Sequence, residues 1–405
     1  MNADLATPAA PRLRGPVVLF MALAATLGTS TTYCLQPAIA DVADTLGVQV
    51  TAVGFALACG PIGYMAGLGL LVPLVDRFAP DRVLAAQFAV LAIALASSAA
   101  IGGVWQLGLI TAVIGACSAV GAGLSSVAGR LAHPDRRART LGLVTAGISV
   151  GILAGRIIGG WLSDEIGWRG MLVVFAAASA VIGGWCLVAL PASRGTTARG
   201  YLATLRSLPQ LLMRHSALRV AACAGALWFF AFCAVWAGLA VALAEPPFSY
   251  SAERIGLYAL AGLSGLLATQ IAGTWTDRVG ARRVILLGLG LAGASAIVAA
   301  CALGSTPVTL CCLALFDAGL FAAQVANQST VLAIDPAAPA RFNSAYMLVY
   351  FVGGSLGTAF GAAAVDWFGW TATALIAAAA MAAAAAIIRA TQRVGPVTRS
   401  LSSRC

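Results

Sequence analysis

The sequence predicts an all-α integral membrane protein of twelve transmembrane helices in two pseudo-symmetric six-helix bundles. Three observations carry that prediction: a composition too apolar for a water-exposed surface, apolar runs of membrane-crossing length, and an internal repeat. Of the 405 residues, 60% are hydrophobic and 9% charged, and the mean hydropathy is +0.93. Soluble domains carry about 25% charged residues, so this chain cannot cover its surface in water. A membrane helix needs roughly 20 mostly apolar residues, and runs of that kind recur along the sequence. They are continuous rather than alternating, which excludes an outer-membrane β-barrel.

Breaks at Arg, Asp, Pro and Gly clusters delimit twelve spans, at 16–39, 51–75, 83–101, 107–130, 140–162, 171–190, 220–244, 255–275, 284–303, 308–334, 342–365 and 371–391. The first is read as an uncleaved helix rather than a signal peptide, because it is long and eleven more follow. A net charge of +10 in a soluble protein would suggest nucleic acid, but here it reports topology. All 24 basic residues are Arg. One set of alternate loops, with both tails, holds 21 of the 24, the opposite set holds only Arg169 and Arg254, and Arg156 lies within a span. The positive-inside rule then predicts cytoplasmic N- and C-termini in a cytoplasmic (inner) membrane.

Nine of the ten cysteines sit inside apolar runs, where Cys packs as a small hydrophobe, and Cys405 lies in the tail. His133 and His215 have no Cys or second His nearby, so neither a metal nor another cofactor is expected. The sequence has no Lys, hence no Gly-x-x-x-x-Gly-Lys-Ser/Thr loop, and ATP is not a direct motor. No His/Cys/carboxylate constellation points to an enzyme.

The longest connection divides the chain into an N-terminal bundle (1–190), a cytoplasmic linker (191–219) and a C-terminal bundle (220–405). Within the linker, Leu202, Leu205, Leu208 and Leu212 have helical spacing among Arg206, Arg214 and Arg219. That pattern suits a helix lying at the membrane interface, with a plain linker as the alternative.

The two halves repeat each other. Asp76-Arg77-Phe78-Ala79-Pro80-Asp81-Arg82-Val83 after span 2 corresponds to Asp277-Arg278-Val279-Gly280-Ala281-Arg282-Arg283-Val284 after span 8. Around spans 5 and 11, Pro134, Arg139, Gly151, Gly155, Gly159, Asp164, Gly167 and Trp168 pair at one offset with Pro336, Arg341, Gly353, Gly357, Gly361, Asp366, Gly369 and Trp370. With these residues in view, the chain resembles the major facilitator superfamily over essentially its whole length. The doubled Asp-Arg-x-Gly-x-Arg-Arg element is that superfamily's signature. Its second copy is nearly complete, while the first has Ala79 and Val72 where Gly is usual. Tyr33, Gln36 and Pro37, Leu71-Val72-Pro73-Leu74, Ala326-Asn327-Gln328 and Asp335-Pro336 resemble a bacterial branch of twelve-span, drug:proton antiporter-like efflux permeases.

The resemblance implies a monomeric secondary transporter that moves a small organic molecule across the bilayer by alternating access. Proton-coupled efflux leads, and proton-coupled uptake or facilitated transport of an organic anion or other metabolite is the alternative. Duplicated halves can rock against each other and expose a midplane site to each side in turn. In the loop element, Asp76 and Asp277 can meet neighbouring helix N-termini while Arg77, Arg82, Arg278, Arg282 and Arg283 pair across the cytoplasmic face, unless these arginines only set topology.

Two ionisable residues lie well inside spans, Arg156 and Asp317. Each costs about 2.5–3.5 kcal/mol to insert, which makes both functional candidates. Asp317 can exchange a proton with an alternating cavity, or it can tie helices together. Arg156 follows the stripe Gly147-x-x-x-Gly151-x-x-x-Gly155 and precedes Gly159, and it stands where the similar motif of drug antiporters carries Pro. Small residues at four-residue spacing allow close helix approach, so this face is expected to pack against the other half and form a gate. The guanidinium can hold an anionic substrate group, pair with Asp317 or snorkel to the outer interface. Separate roles are expected, with Arg156 at the gate and Asp317 in the cavity. Because spans 1, 4, 7 and 10 line the cavity in this superfamily, Tyr33, Gln36, Trp228, Phe229, Trp236, Gln324 and Asn327 are the remaining cavity candidates.

Overall fold

The computed structural model describes residues 15–133, 136–191, 201–335 and 339–390. The N-terminal half runs α1 (Gly15–Tyr33), α2 (Ile39–Leu46), α3 (Val50–Leu70), α4 (Leu74–Arg77), α5 (Pro80–Ala99), α6 (Val104–Ser118), α7 (Val120–Leu131) and α8 (Arg137–Ala189). After α9 (Tyr201–Arg214), the second half runs α10 (Ser216–Ala244), α11 (Ala252–Leu257), a 3₁₀ turn (Tyr258–Gly262), α12 (Leu263–Val279), α13 (Ala281–Ala302), α14 (Thr306–Leu332) and α15 (Pro339–Ala390). Helix is what the solvent demands, since in hydrocarbon each backbone amide must find its partner within the chain.

Ten helices among the described residues are long and apolar enough to cross a bilayer. Two of them, α8 and α15, contain two spans each, which gives the expected twelve. Each is broken at a single residue, Gly167 (φ 75°) or Gly369 (φ 79°), in the left-handed region that only glycine enters freely. The expected loops between spans 5 and 6 and between 11 and 12 are therefore one-residue reversals. Trp168 and Trp370 follow the breaks and brace them, Trp168 Nε1 donating to Thr45 Oγ1 at 3.1 Å and Trp370 Nε1 to the Ala299 carbonyl at 2.8 Å.

The degraded first copy of the loop element has a visible consequence. In the second half, Gly280 (φ 87°) turns the chain directly from α12 into α13. Ala79, its counterpart, stays extended (φ −63°, ψ 118°), so α5 starts instead on Pro80 in its first turn. Upstream, Pro73 has no amide to offer, and span 2 is interrupted between Leu70 and Leu74.

The glycine stripe of span 5 corrects an expectation. Gly147, Gly151 and Gly155 pack on the backbone of Ala22, Thr26 and Ser30 in α1, and Gly159 on Cys34 just after it, within the same half and not across to the other. Thr26 Oγ1 and Ser30 Oγ donate to the carbonyls of Gly147 and Gly151 at 3.0 Å, which locks the pair. Gly353, Gly357 and Gly361 repeat this on Ala226, Phe230 and Ala234 of α10. The stripe therefore makes each half rigid. The halves meet through other glycines: Gly54 on Ala362, Gly160 on Ala252 and Gly256 on the Arg156 carbonyl.

Hydrogen bonds described between the halves lie at mid-depth and at the end away from the arginine-rich loops. Ser355 Oγ donates to the Ala58 carbonyl at 2.6 Å. Asp164 accepts from the backbone amides of Ala252 (3.1 Å) and Glu253 (3.0 Å), and Thr51 donates to Asp366. The linker stretch is helical in α9, and its Leu208 is buried with Leu218, Phe342 and Tyr346 against the second half.

Candidate functional site

A cavity of about 200 Å³ lies between the halves. Tyr33, Gln36, Trp228, Phe229 and Gln324 line it, together with Arg156. The expected contribution of span 4 is absent from the described lining. Span 2 supplies Leu57, Pro61 and Tyr64, and span 11 supplies Tyr350, Phe351 and Thr358. Aromatic contacts bind the wall together, Tyr64 on Phe351 across the two halves with centroids 4.7 Å apart and Phe229 stacked on Tyr350 at 4.0 Å within the second half. These span 2 and span 11 aromatics escaped sequence reasoning because an aromatic in an apolar span looks the same whether it packs or binds.

Arg156 does not snorkel. It is 4% exposed, its Nε donates to Gln36 Oε1 at 2.7 Å, and its guanidinium carbon stands 4.2 Å from the Trp236 ring centroid, 5.1 Å from Tyr33 and 5.8 Å from Phe232. Cation–π attraction gains strength where water is excluded, so this cage holds the charge in place. Among the described residues no carboxylate forms an ion pair with it.

Asp317 is placed differently from expectation as well. It is 2% exposed, absent from the described lining, and its Oδ1 accepts from Trp236 Nε1 at 3.2 Å. Trp236 therefore stands between the two charges, one ring face toward Arg156 and its N–H toward Asp317. The expected separation of roles gives way to one connected unit, Gln36–Arg156–Trp236–Asp317, spanning both halves. Trp236 belongs to the site as a bridge and not as lining.

Asn327 leaves the cavity set: it is 1% exposed and its Nδ2 donates to the Ala221 carbonyl at 3.0 Å, tying α14 to α10. Gln324 Oε1 accepts from the Tyr346 hydroxyl at 2.6 Å. One buried polar group on the cavity wall, Thr32 Oγ1, has no hydrogen-bond partner.

The loop element is spread along the arginine-rich end. Asp277, Arg278, Arg82 and Arg283 are exposed, and none makes a described hydrogen bond or ion pair. Arg82 also borders a second hollow beside span 2. Arg282 donates to the carbonyls of Ile388 and Arg389, capping the end of α15 within its own half. Arg77 is exposed at the end of α4, and the Asp76 side chain lies outside the described residues.

The family model for the Major Facilitator Superfamily matches residues 18–245 and 226–403. The chain is 30% identical to an uncharacterized transporter, YgaY, of Escherichia coli O157:H7, over 89% of this chain and 92% of that one. It is 32% identical to a probable transporter, SCO4007, of Streptomyces coelicolor, over 92% and 86% of the two chains. Among solved structures, a bacterial homolog to the human lysosomal transporter Spinster, in an inward-facing and unoccupied conformation, superposes with a TM-score of 0.75 at 15% identity, covering 93% of this chain and 96% of that one. The nucleoside transporter NupG (D323A mutant) gives 0.73 at 14% identity, over 91% and 99%. Twelve spans in duplicated halves around a central cavity, with these matches along nearly the whole chain, make this a multi-pass membrane transporter that belongs to the Major Facilitator Superfamily.

Proposed function

We propose that the chain is a monomeric secondary active transporter of the cytoplasmic membrane that carries a small organic molecule through the central cavity by alternating access, exporting it in exchange for protons. The observation that supports this reading is the unit Gln36–Arg156–Trp236–Asp317, which puts one ionisable carboxylate behind the wall of a cavity shared by both halves. A carboxylate there senses which half-cycle the protein is in, because Trp236 and Arg156 belong to different halves and part when the halves rock. Asp317 is the coupling group and Arg156 its counter-charge.

The alternative direction, uptake of an organic anion with a proton, is favoured by the charge on the wall: among the described lining residues Arg156 is the sole charged side chain. An anion docking on Arg156 withdraws the counter-charge from Asp317, and a proton taken up there restores neutrality, so anion and proton cross together. Proteoliposomes with an imposed pH gradient and a panel of amphiphiles, sugars and organic acids decide direction. In the same assay Asp317→Asn is expected to abolish gradient-driven accumulation while preserving energy-independent exchange. Normal proton-driven transport by a folded Asp317→Asn protein overturns the coupling role.

A further inference from the structure

Resting on the transporter reading above, we propose that the transported molecule is a small organic carboxylate with an apolar or aromatic body, its carboxylate forked onto Arg156. Arg156 offers one edge of its guanidinium to Gln36 and its face to Trp236. Its two terminal nitrogens make no described hydrogen bond, although the residue lies on the cavity wall. Planar guanidinium nitrogens match a carboxylate two to two, and such charge-assisted pairs are about twice as strong as neutral hydrogen bonds. The cage of Tyr33, Phe232 and Trp236 fixes the guanidinium plane before any ligand arrives, so little ordering remains to be done on binding.

The rest of the wall narrows the class further. The described lining holds no carboxylate, and Asp317 is screened from the cavity by Trp236, so a ligand cation meets no counter-charge. Apart from Thr29, Thr32, Gln36, Gln324, Thr358 and the hydroxyls of its tyrosines, the described wall around Arg156 is aromatic and aliphatic, and Gln36 and Gln324 are already engaged by Arg156 and Tyr346. A polyol sugar carries hydroxyls on every side of its ring and would leave those facing the apolar wall unpaired, at about 1–3 kcal/mol each. A dianion would carry one charge more than the wall can match. A single carboxylate on an apolar body leaves neither problem.

The experiment uses the purified full chain in nanodiscs and the matched probes 3-phenylpropionate, 3-phenylpropionamide and 3-phenylpropylamine, which share a body and differ in charge. Binding is read from tryptophan fluorescence, since Trp228 and Trp236 adjoin the site, and from thermal stabilisation. The expected result is at least tenfold tighter binding of the carboxylate than of the amide, with no saturable binding of the amine. Arg156→Lys is expected to weaken the carboxylate by about tenfold, and Arg156→Gln to erase its preference over the amide. The wild-type comparison needs no variant, so a misfolded Arg156→Gln protein leaves the test intact. Equal affinity for carboxylate and amide, tighter binding of the amine, or no binding of the carboxylate overturns the proposal. Proton-coupled transport of the amine in proteoliposomes, without carboxylate binding, sinks the substrate class while leaving the transporter reading in place.

Discussion

Gly155 faces the backbone of Ser30 so closely that an added Cβ would sit 2.5 Å from the Ser30 carbonyl oxygen and 2.9 Å from its Cα. Backbone cannot step aside as a side-chain tip can, so Gly155→Ala has to push α8 off α1. Overpacking of this kind costs about 1–3 kcal/mol. Gly142, in the same helix, has open space where its Cβ would be. Gly142→Ala is expected to be neutral or slightly stabilising, because it removes backbone freedom from the unfolded chain. Thermal unfolding of the two variants in detergent checks this: Gly155→Ala should melt several degrees below wild type and Gly142→Ala should not, whereas equal melting would mean the stripe is not a tight contact. The same residues show what was legible in the sequence. Four-residue spacing announces that some helix comes close, but it carries no address, and the partner turned out to be α1 of the same half. Arg156 and Asp317 stood out as charges in apolar spans, yet the ring that joins them, Trp236, was one aromatic among many until the fold placed it.

At the scale of elements, the seal between the halves is a symmetric device. Asp164 closes span 5 and accepts the first free amides of α11, while Asp366, its repeat counterpart, closes span 11 and accepts from Thr51 in the first turn of α3. Each half thus lays a carboxylate on a helix N-terminus of the other, where orphan N–H groups and the helix dipole favour negative charge. The repeat made Asp164 and Asp366 legible as a pair; what they touch depends on how the halves dock, which no local pattern records. Gathering carboxylates there has a consequence for pH. Asp41 in α2 has its pKa pushed up by desolvation first, then by the charges of Asp164 and Asp44. Glu245, at the end of α10, is pushed up by desolvation and then by Asp366. The neighbouring charges belong to the same half as the acid and stay beside it when the halves part, so the seal acts through desolvation: an acid that the facing half shields from water binds its proton more readily in the sealed arrangement. The seal therefore tightens as pH falls toward the range just above ordinary carboxylate values of about 4, and loosens above it. Spin labels at Gln49 and Ser249, both exposed and on opposite halves, report the separation. Acidification should raise the short-distance population, and Asp41→Asn, which mimics the neutral acid, should flatten that response. An unchanged pH profile in Asp41→Asn would remove Asp41 from the seal.

For the whole molecule, these contacts describe one of two states. The seal is made at one end, while at the arginine-rich end Asp277, Arg278 and Arg283 stand exposed without described partners. A transporter that alternates must hold its two states within a few kcal/mol of each other, because a deep preference for either would stall the cycle. We propose that the second copy of the loop element, idle in this state, serves the other. Two substitutions should consequently shift the equilibrium in opposite directions. Asp164→Asn removes a charge that stabilises the sealed state and should lengthen the Gln49–Ser249 distance. On this proposal Asp277→Asn removes one that serves the opposite state and should enrich the short distance. Each 1.4 kcal/mol lost is about a tenfold change in the ratio of states, well within the reach of distance measurements. Both variants should slow turnover, since the cycle passes through both states, and combining them should restore a ratio near wild type if the sites act independently. Shifts of the same sign, or a folded Asp277→Asn protein with wild-type populations and rates, would leave the arginine-rich loops as topology signals alone and the seal as the only gate this chain encodes.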